Sequence, residues 1–180
     1  AFGKDFGGMC QGDLKTGTKG TDAIFVMEPR DVPNIPKDQP PTFAKVVVAY
    51  RPQKDDPYRI RITAGGNKIF YPGELTTRTA DMTTAKLHWN SVLSTPGAKY
   101  MCLDIGNFYL SATLDRYEYT KMPINLFPPW IVDQYDLSQK VVGGFVYLQM
   151  RKAVWGLSQA GILANKLLGK RLTKAGYYQC

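Results

Sequence analysis

The chain has 180 residues, with 23 Lys and Arg against 15 Asp and Glu and a net charge of +8. Hydrophobic residues make up 44% and charged residues 21%, which excludes a disordered chain and provides for a sizeable core. No apolar run approaches the roughly 20 residues that span a bilayer, and residues 1–20 are rich in Gly, Lys and Thr, with no apolar segment of a secretory signal.

Residues 1–42 carry many glycines and prolines, few large aliphatics and one apolar patch, Ala23 to Met27. Pro29, Pro33, Pro36, Pro40 and Pro41 oppose a long helix or a central strand, so an extended N-terminal segment is expected. Order is predicted from Phe43. The β-branched run Lys45 to Tyr50 reads as a strand, and Tyr58 to Ala64 as its hairpin partner. In that partner Ile60 and Ile62 share one face, and Arg59, Arg61 and Thr63 the other. Gly65-Gly66-Asn67 forms a turn, with a short strand expected over Lys68 to Tyr71. Thr79 to Ser94 has helical spacing and is stopped by Thr95-Pro96-Gly97. Tyr100 to Leu103 reads as a buried strand ending at Asp104, followed by a turn and short helix over Leu110 to Tyr119. Lys121 to Ile124 and Gly144 to Arg151 read as paired strands, separated by an insertion over residues 125–143 with a small helix near Trp130. The last element is a helix capped by Ser158 and ended by Gly176, with Ile162, Leu163, Leu167, Leu168 and Leu172 on its core face. Without a steady βαβ rhythm the fold class is α+β, an antiparallel sheet with packed helices.

The chemistry-bearing residues are few. Asp104 closes its segment and Tyr109 follows shortly after. A carboxylate at a strand end suits a metal ligand, and equally suits a turn residue. Val154-Trp155-Gly156-Leu157-Ser158-Gln159-Ala160 reads as strand, tight turn and helix start, which places an aromatic, a backbone approach point and free N–H groups together. The same run also describes an ordinary turn with Trp155 in the core. Arg59 and Arg61 can each grip phosphate oxygens with two N–H groups, or simply be solvated. The single histidine, His88, leaves Ser–His–Asp and Cys–His catalysis without support. Three widely spaced cysteines, Cys10, Cys102 and Cys180, indicate neither a disulfide framework nor a zinc site, so an intracellular protein, cytoplasmic or nuclear and not secreted, is expected. The charge of +8 fits a polyanionic partner, and also fits scattered lysines on a soluble protein.

The order of these parts is more specific than any one of them. A basic hairpin precedes a helix, then Asp-Ile-Gly-Asn-Phe-Tyr-Leu at 104–110, then Lys-Met-Pro-Ile, then Tyr-Leu-Gln-Met-Arg-Lys-Ala-Val-Trp-Gly-Leu-Ser-Gln-Ala-Gly ending at residue 161. Over roughly residues 43–180 this resembles the reverse transcriptase domain of retrotransposon polyproteins of the copia and gypsy types. The resemblance implies fingers and part of the palm of a right-hand polymerase, a fingers-like region over 43–98 and a partial palm over 99–180. It implies RNA-directed DNA synthesis, a nucleotidyl transfer that needs Mg²⁺ (or Mn²⁺), with deoxynucleoside triphosphates, a primed RNA or DNA template and the remainder of the polyprotein as partners, and no membrane. Asp104 becomes the first catalytic aspartate and a metal ligand, with the Ile105 carbonyl beside it. Tyr109, with Phe108, bears on the sugar of the incoming nucleotide and excludes a 2′-hydroxyl. Trp155, Gly156, Arg59 and Arg61 fall to nucleotide binding, Gln159 and Lys152 to nucleic acid. The family's further catalytic aspartates follow the helix that corresponds to 158–175, and the chain stops at Cys180. It is therefore expected to be inactive alone, and a non-catalytic nucleic-acid-binding remnant is the rival expectation.

Overall fold

The chain opens with α1, Phe2–Met9, in which Phe2, Phe6 and Met9 are buried. The structure, a computed structural model, describes residues 1–77 and 81–178. Two short strands, β1 Gly12–Asp13 and β2 Thr18–Lys19, pair antiparallel after α1, and β3 Ile24–Val26 enters the main sheet. The N-terminal segment is thus folded into the core, contrary to the extended form that its Gly and Pro content suggests. Its glycines are there for contact: a Cβ at Gly7 would lie 2.6 Å from the Gly12 carbonyl oxygen, so only glycine lets α1 meet that turn. The prolines do act as expected further on, where Pro29–Asn34 forms a 3-10 turn within an irregular strap.

After β4, Thr42–Phe43, the hairpin of β5, Lys45–Tyr50, and β6, Tyr58–Thr63, forms as the β-branched alternation predicts, with β6 ending one residue before Ala64. The short strand expected over Lys68 to Tyr71 is absent; a 3-10 turn, Gly66–Lys68, takes its place. Helix α2, Met82–Ser94, is capped by the Asp81 carboxylate, which accepts from Thr84 N–H at 2.7 Å. Thr79, where this helix is predicted to begin, lies outside the described residues, as does Cys180.

The expected strand before Asp104 does not form. Residues 98–105 are irregular and exposed. A strand needs a neighbour for its N–H and C=O groups, and no described strand pairs with these residues. Conversely, the turn and helix expected over Leu110 to Tyr119 are mostly strand: β7 spans Thr113–Pro123. Its register with β9, Phe145–Lys152, runs from Glu118 opposite Met150 to Pro123 opposite Phe145. That ladder overrides the local helical spacing of Leu110, Leu114 and Tyr117. Between them lie α3, Pro129–Gln134, and β8, Val141–Val142, in the expected insertion.

The main sheet runs β3-β9-β7-β4, with β8 also on β9. All its pairs are antiparallel except β4 with β7, which is parallel. Met122, Val146, Leu148 and Met150 are fully buried on one face of it, each worth roughly 1.5–3 kcal/mol of transfer free energy. The chain is α+β. Helix α4, Ala160–Lys174, ends as predicted: Gly176 adopts φ +87°, and Tyr177 N–H donates to the Leu172 carbonyl at 3.0 Å. Its start differs, since Gln159 rather than Ser158 holds the cap position and no side chain caps it. No helix among the described residues is long and apolar enough to cross a membrane.

Candidate functional site

Strand β6 turns Ile62 into the core, which leaves Arg59 and Arg61 on its other face, half-buried. The Arg61 guanidinium lies over the Trp155 ring at 4.5 Å from its centroid. Trp155 is held in turn by its backbone, whose carbonyl accepts from Ala64 N–H at 2.8 Å. Gly156 takes φ +94°, and a Cβ there would strike the backbone of Ala64. A Cβ at Gly66 would strike the Gly156 carbonyl. These two glycines thus let the end of the hairpin press on the turn before α4, which fixes Arg61 against Trp155.

The third contributor is the segment that fails to become a strand. Asn107 in the left-handed region, φ 55°, starts a 3-10 turn over Phe108–Ser111, and buried Leu110 pins it to the core. Phe108 and Tyr109 are thereby held while Asp104 and Ile105 hang exposed ahead of them. Arg171 of α4 sits 5.7 Å from the Phe108 ring centroid.

Between these three segments and α4 lies a cavity of about 600 Å³, lined by Arg59, Arg61, Asp104, Ile105, Phe108, Tyr109 and Trp155 among others. Three residues singled out in the sequence stand elsewhere. Gly156 does not line the cavity but shapes its wall. Gln159 is buried, with its Nε2 3.3 Å from Glu118 Oε1, so its side chain braces the interior and does not meet a nucleic acid. Lys152 donates its Nζ to the Thr21 carbonyl, an internal tether of the N-terminal segment. Its charge is accordingly turned inward.

The cavity also takes Gly161, Ala164, Asn165 and Leu168 from α4. Their spacing of i, i+3, i+4 and i+7 is one helical stripe. Leu168, expected on the core face, thus lines the cavity, and Leu172 is exposed, while Leu163 and Leu167 do pack against the core. Asp5 was not singled out in the sequence. Its carboxylate accepts Ile62 N–H at 2.7 Å, linking α1 to β6. Burial raises its pKa, while that hydrogen bond and nearby Arg59 oppose the rise.

The donor set sets limits on metal chemistry. Among the described residues no three His, Cys, Asp or Glu side chains gather to hold an ion. Asp104 is the one carboxylate that lines the cavity, with Ile105 also in its wall. This fits an ion that arrives on a polyphosphate, since Mg²⁺ commonly takes one or two carboxylates plus substrate oxygens, and does not fit a resident ion in a protein cage. Neither Arg59 nor Arg61 forms an ion pair among the described residues. The wall therefore presents two cations, Arg59 and Arg61, and three aromatic side chains, Phe108, Tyr109 and Trp155, to whatever enters. Comparison with protein-family models, characterised proteins and solved structures finds no match to this chain.

Proposed function

We propose that the cavity binds a deoxynucleoside triphosphate with its Mg²⁺ (or Mn²⁺), and that the chain is part of a reverse transcriptase from a retrotransposon polyprotein, contributing fingers and partial palm. One observation carries this reading. Seven residues taken from the sequence for nucleotide chemistry, in three segments far apart in the chain, line one cavity of about 600 Å³. Such a volume suits a nucleotide-sized ligand.

Each wall has a role. Arg59 and Arg61 hold phosphate oxygens, with Arg61 stiffened by its stack on Trp155. Tyr109 lies along the sugar and crowds a 2′-hydroxyl. Asp104, with Ile105 beside it, would hold a divalent ion, which when bound would supply charge neutralisation for transfer of the α-phosphoryl group to a primer 3′-oxygen with pyrophosphate as the leaving group. Further carboxylates are needed to hold both ions of such a reaction. On this reading they come from another part of the polyprotein, and the chain alone binds nucleotide without extending a primer.

The test is equilibrium binding of dTTP with Mg²⁺ to the whole chain, followed by quenching of tryptophan fluorescence. Arg61→Ala is expected to weaken binding about tenfold or more, as loss of charged hydrogen bonds does. Asp104→Asn should lower the response to Mg²⁺, and Tyr109→Ala should narrow the preference for dTTP over UTP. Absence of saturable dTTP binding would sink the proposal. The second reading, a non-catalytic nucleic-acid-binding remnant, draws on the lone carboxylate of the cavity and the charge of +8. It predicts strand binding without any nucleotide binding.

A further inference from the structure

A second cavity, of about 290 Å³, adjoins the nucleotide cavity between α1, β2 and the turn end of the β5–β6 hairpin. Three contacts build it. The Asp5 carboxylate accepts Ile62 N–H at 2.7 Å and lays α1 on β6, which brings Lys4 to the hairpin. Thr21 donates to the Gly8 carbonyl through its N–H, at 3.0 Å, and its hydroxyl, at 2.8 Å. That pair folds the chain after β2 back on α1 and sets Lys19 in the same wall. Arg51 N–H donates to the Pro57 carbonyl at 2.7 Å, closing the turn that carries Arg51, and Arg59 stands on β6 beside it. The state of these cations singles the cavity out. Arg116, Lys140, Arg151 and Lys152 each give their charge to a carboxylate, amide or carbonyl oxygen of the protein. Lys4, Lys19, Arg51 and Arg59 form no ion pair and donate no side-chain hydrogen bond among the described residues. Yet Arg51 and Arg59 are half-buried, and Arg51 Nε is buried with no acceptor. A guanidinium drawn out of water without a partner costs free energy that a bound acceptor recovers.

We infer that this second cavity binds a small inorganic oligophosphate, an anion of the pyrophosphate class. Guanidinium forks and ammonium groups together suit phosphate oxygens, the first in pairs and the second as point charges. The four cations stand on separate segments: α1, β2, the turn after β5, and β6. A ligand that engages them together must offer charged oxygens in several directions, which linked phosphates do and a single carboxylate does not. Two carboxylates share the wall and do not cancel the four cations. Asp5 is committed to Ile62 N–H, and Asp56 stands exposed on the turn. Size selects the class as well. At about 290 Å³ against about 600 Å³, the cavity lies below the usual range for ligands that carry a base and a sugar. The hairpin already holds Arg51 and Arg59 on hydrogen-bonded backbone, so little ordering is left to oppose binding. Arg59 and Asn107 line both cavities, whereas Lys4, Lys19 and Arg51 line this one and Arg61 the other. The inference thus stands on cations of its own and does not depend on what the nucleotide cavity holds.

The test is isothermal titration calorimetry of sodium pyrophosphate into the whole chain, at low salt and without divalent metal. Saturable binding is expected in the parent. Pyrophosphate can also enter the nucleotide cavity, and the variants separate the two places. Arg51→Gln with Lys19→Gln should weaken binding about tenfold or more, as loss of charged hydrogen bonds does. Arg61→Ala, which alters the nucleotide cavity alone, should stay within about twofold of the parent, since no contact in the second cavity is lost. Lys4→Gln with Lys19→Gln changes two exposed side chains, so it keeps the fold even where loss of Arg51 unsettles the hairpin, and it should still weaken binding severalfold. Lys170→Gln, on exposed α4 surface, should change binding less than about twofold, consistent with one unspecific charge. On the same proteins dTTP binding should be unchanged by Lys4→Gln with Lys19→Gln. Three results would overturn the inference: no pyrophosphate binding, binding lost in Arg61→Ala but kept in the folded Arg51 and lysine variants, or dTTP and pyrophosphate lost in step. Pyrophosphate binding that follows Arg51 and the lysines while dTTP fails to bind would support this site and remove the nucleotide reading.

Discussion

Glu118 is a buried carboxylate whose Oε1 receives Arg116 Nε at 3.2 Å and Gln159 Nε2 at 3.3 Å. Burial is the largest influence on it and raises its pKa above the ordinary 4.5, while Arg116 and Gln159 pull it down. A carboxylate with a raised folded-state pKa binds its proton more tightly folded than unfolded. Its stabilising contribution is complete below the unfolded pKa and is lost as pH rises through the folded one. Glu118→Gln removes that titration and keeps an oxygen to accept from Arg116. The variant's thermal midpoint should therefore gain on the parent as pH is raised from about 4 to about 7, across the carboxylate range. The difference between the two proteins is the useful quantity, because Asp81, whose pKa is lowered by the Thr84 hydrogen bonds, slopes the other way in both. A gap that stays level or narrows with pH would mean that Glu118 is well solvated. Residues of this sort were hidden from sequence reading. Gln159 stood beside Trp155-Gly156 and was assigned to nucleic acid, whereas the turn there buries it. Arg61, Trp155 and Tyr109, singled out by residue type alone, do line one cavity, which shows their proximity and leaves their role to the binding test.

Among elements, those with strong local patterns were legible and those made by distant pairing were not. β5 and β6 carry their own alternation and their own turn. Helix α1 holds Gly3, Gly7 and Gly8, poor helix formers, of which Gly3 and Gly7 are kept by close packing. β7 needs β9 beside it, and residues 98–105 stay irregular for want of such a neighbour. α2 is the opposite case, a helix visible in the sequence whose apolar side chains stand largely exposed among the described residues. Leu87 is 65% exposed and Leu93 86%, with Met82 and Trp89 also open. Contiguous apolar surface of this kind drives association. The parent chain should therefore self-associate as its concentration rises, and Leu87→Glu with Leu93→Glu should reduce this in sedimentation equilibrium. Helical content should persist, since neither side chain supports the core. A parent that stays monomeric, or a double variant that associates equally, would place the driving surface elsewhere.

For the whole molecule, the nucleotide cavity depends on a segment that carries none of its proposed chemistry. The β5–β6 hairpin meets the body through the Ala64–Trp155 hydrogen bond and the Gly66–Gly156 approach, and α1 adds the Asp5 link to Ile62. The cavity lies where these units join, so anything that loosens α1 also loosens Arg59 and Arg61. Phe6 is the center of that attachment. It is fully buried, with edge contacts to Phe127 at 5.2 Å and Tyr135 at 5.4 Å between ring centroids. Truncating a buried phenylalanine costs about 3–5 kcal/mol, a large part of the 5–15 kcal/mol typical of a domain. Phe6→Ala should accordingly move the urea midpoint sharply down at unchanged slope, and weaken dTTP binding even where the protein remains folded. Leu14→Ala, at a side chain 85% exposed, is the matched control and should leave both nearly unchanged. An unaltered midpoint in Phe6→Ala would return residues 1–42 to the extended arm that composition suggests. Loss of stability with dTTP binding intact would instead show that the hairpin holds its arginines without help from α1.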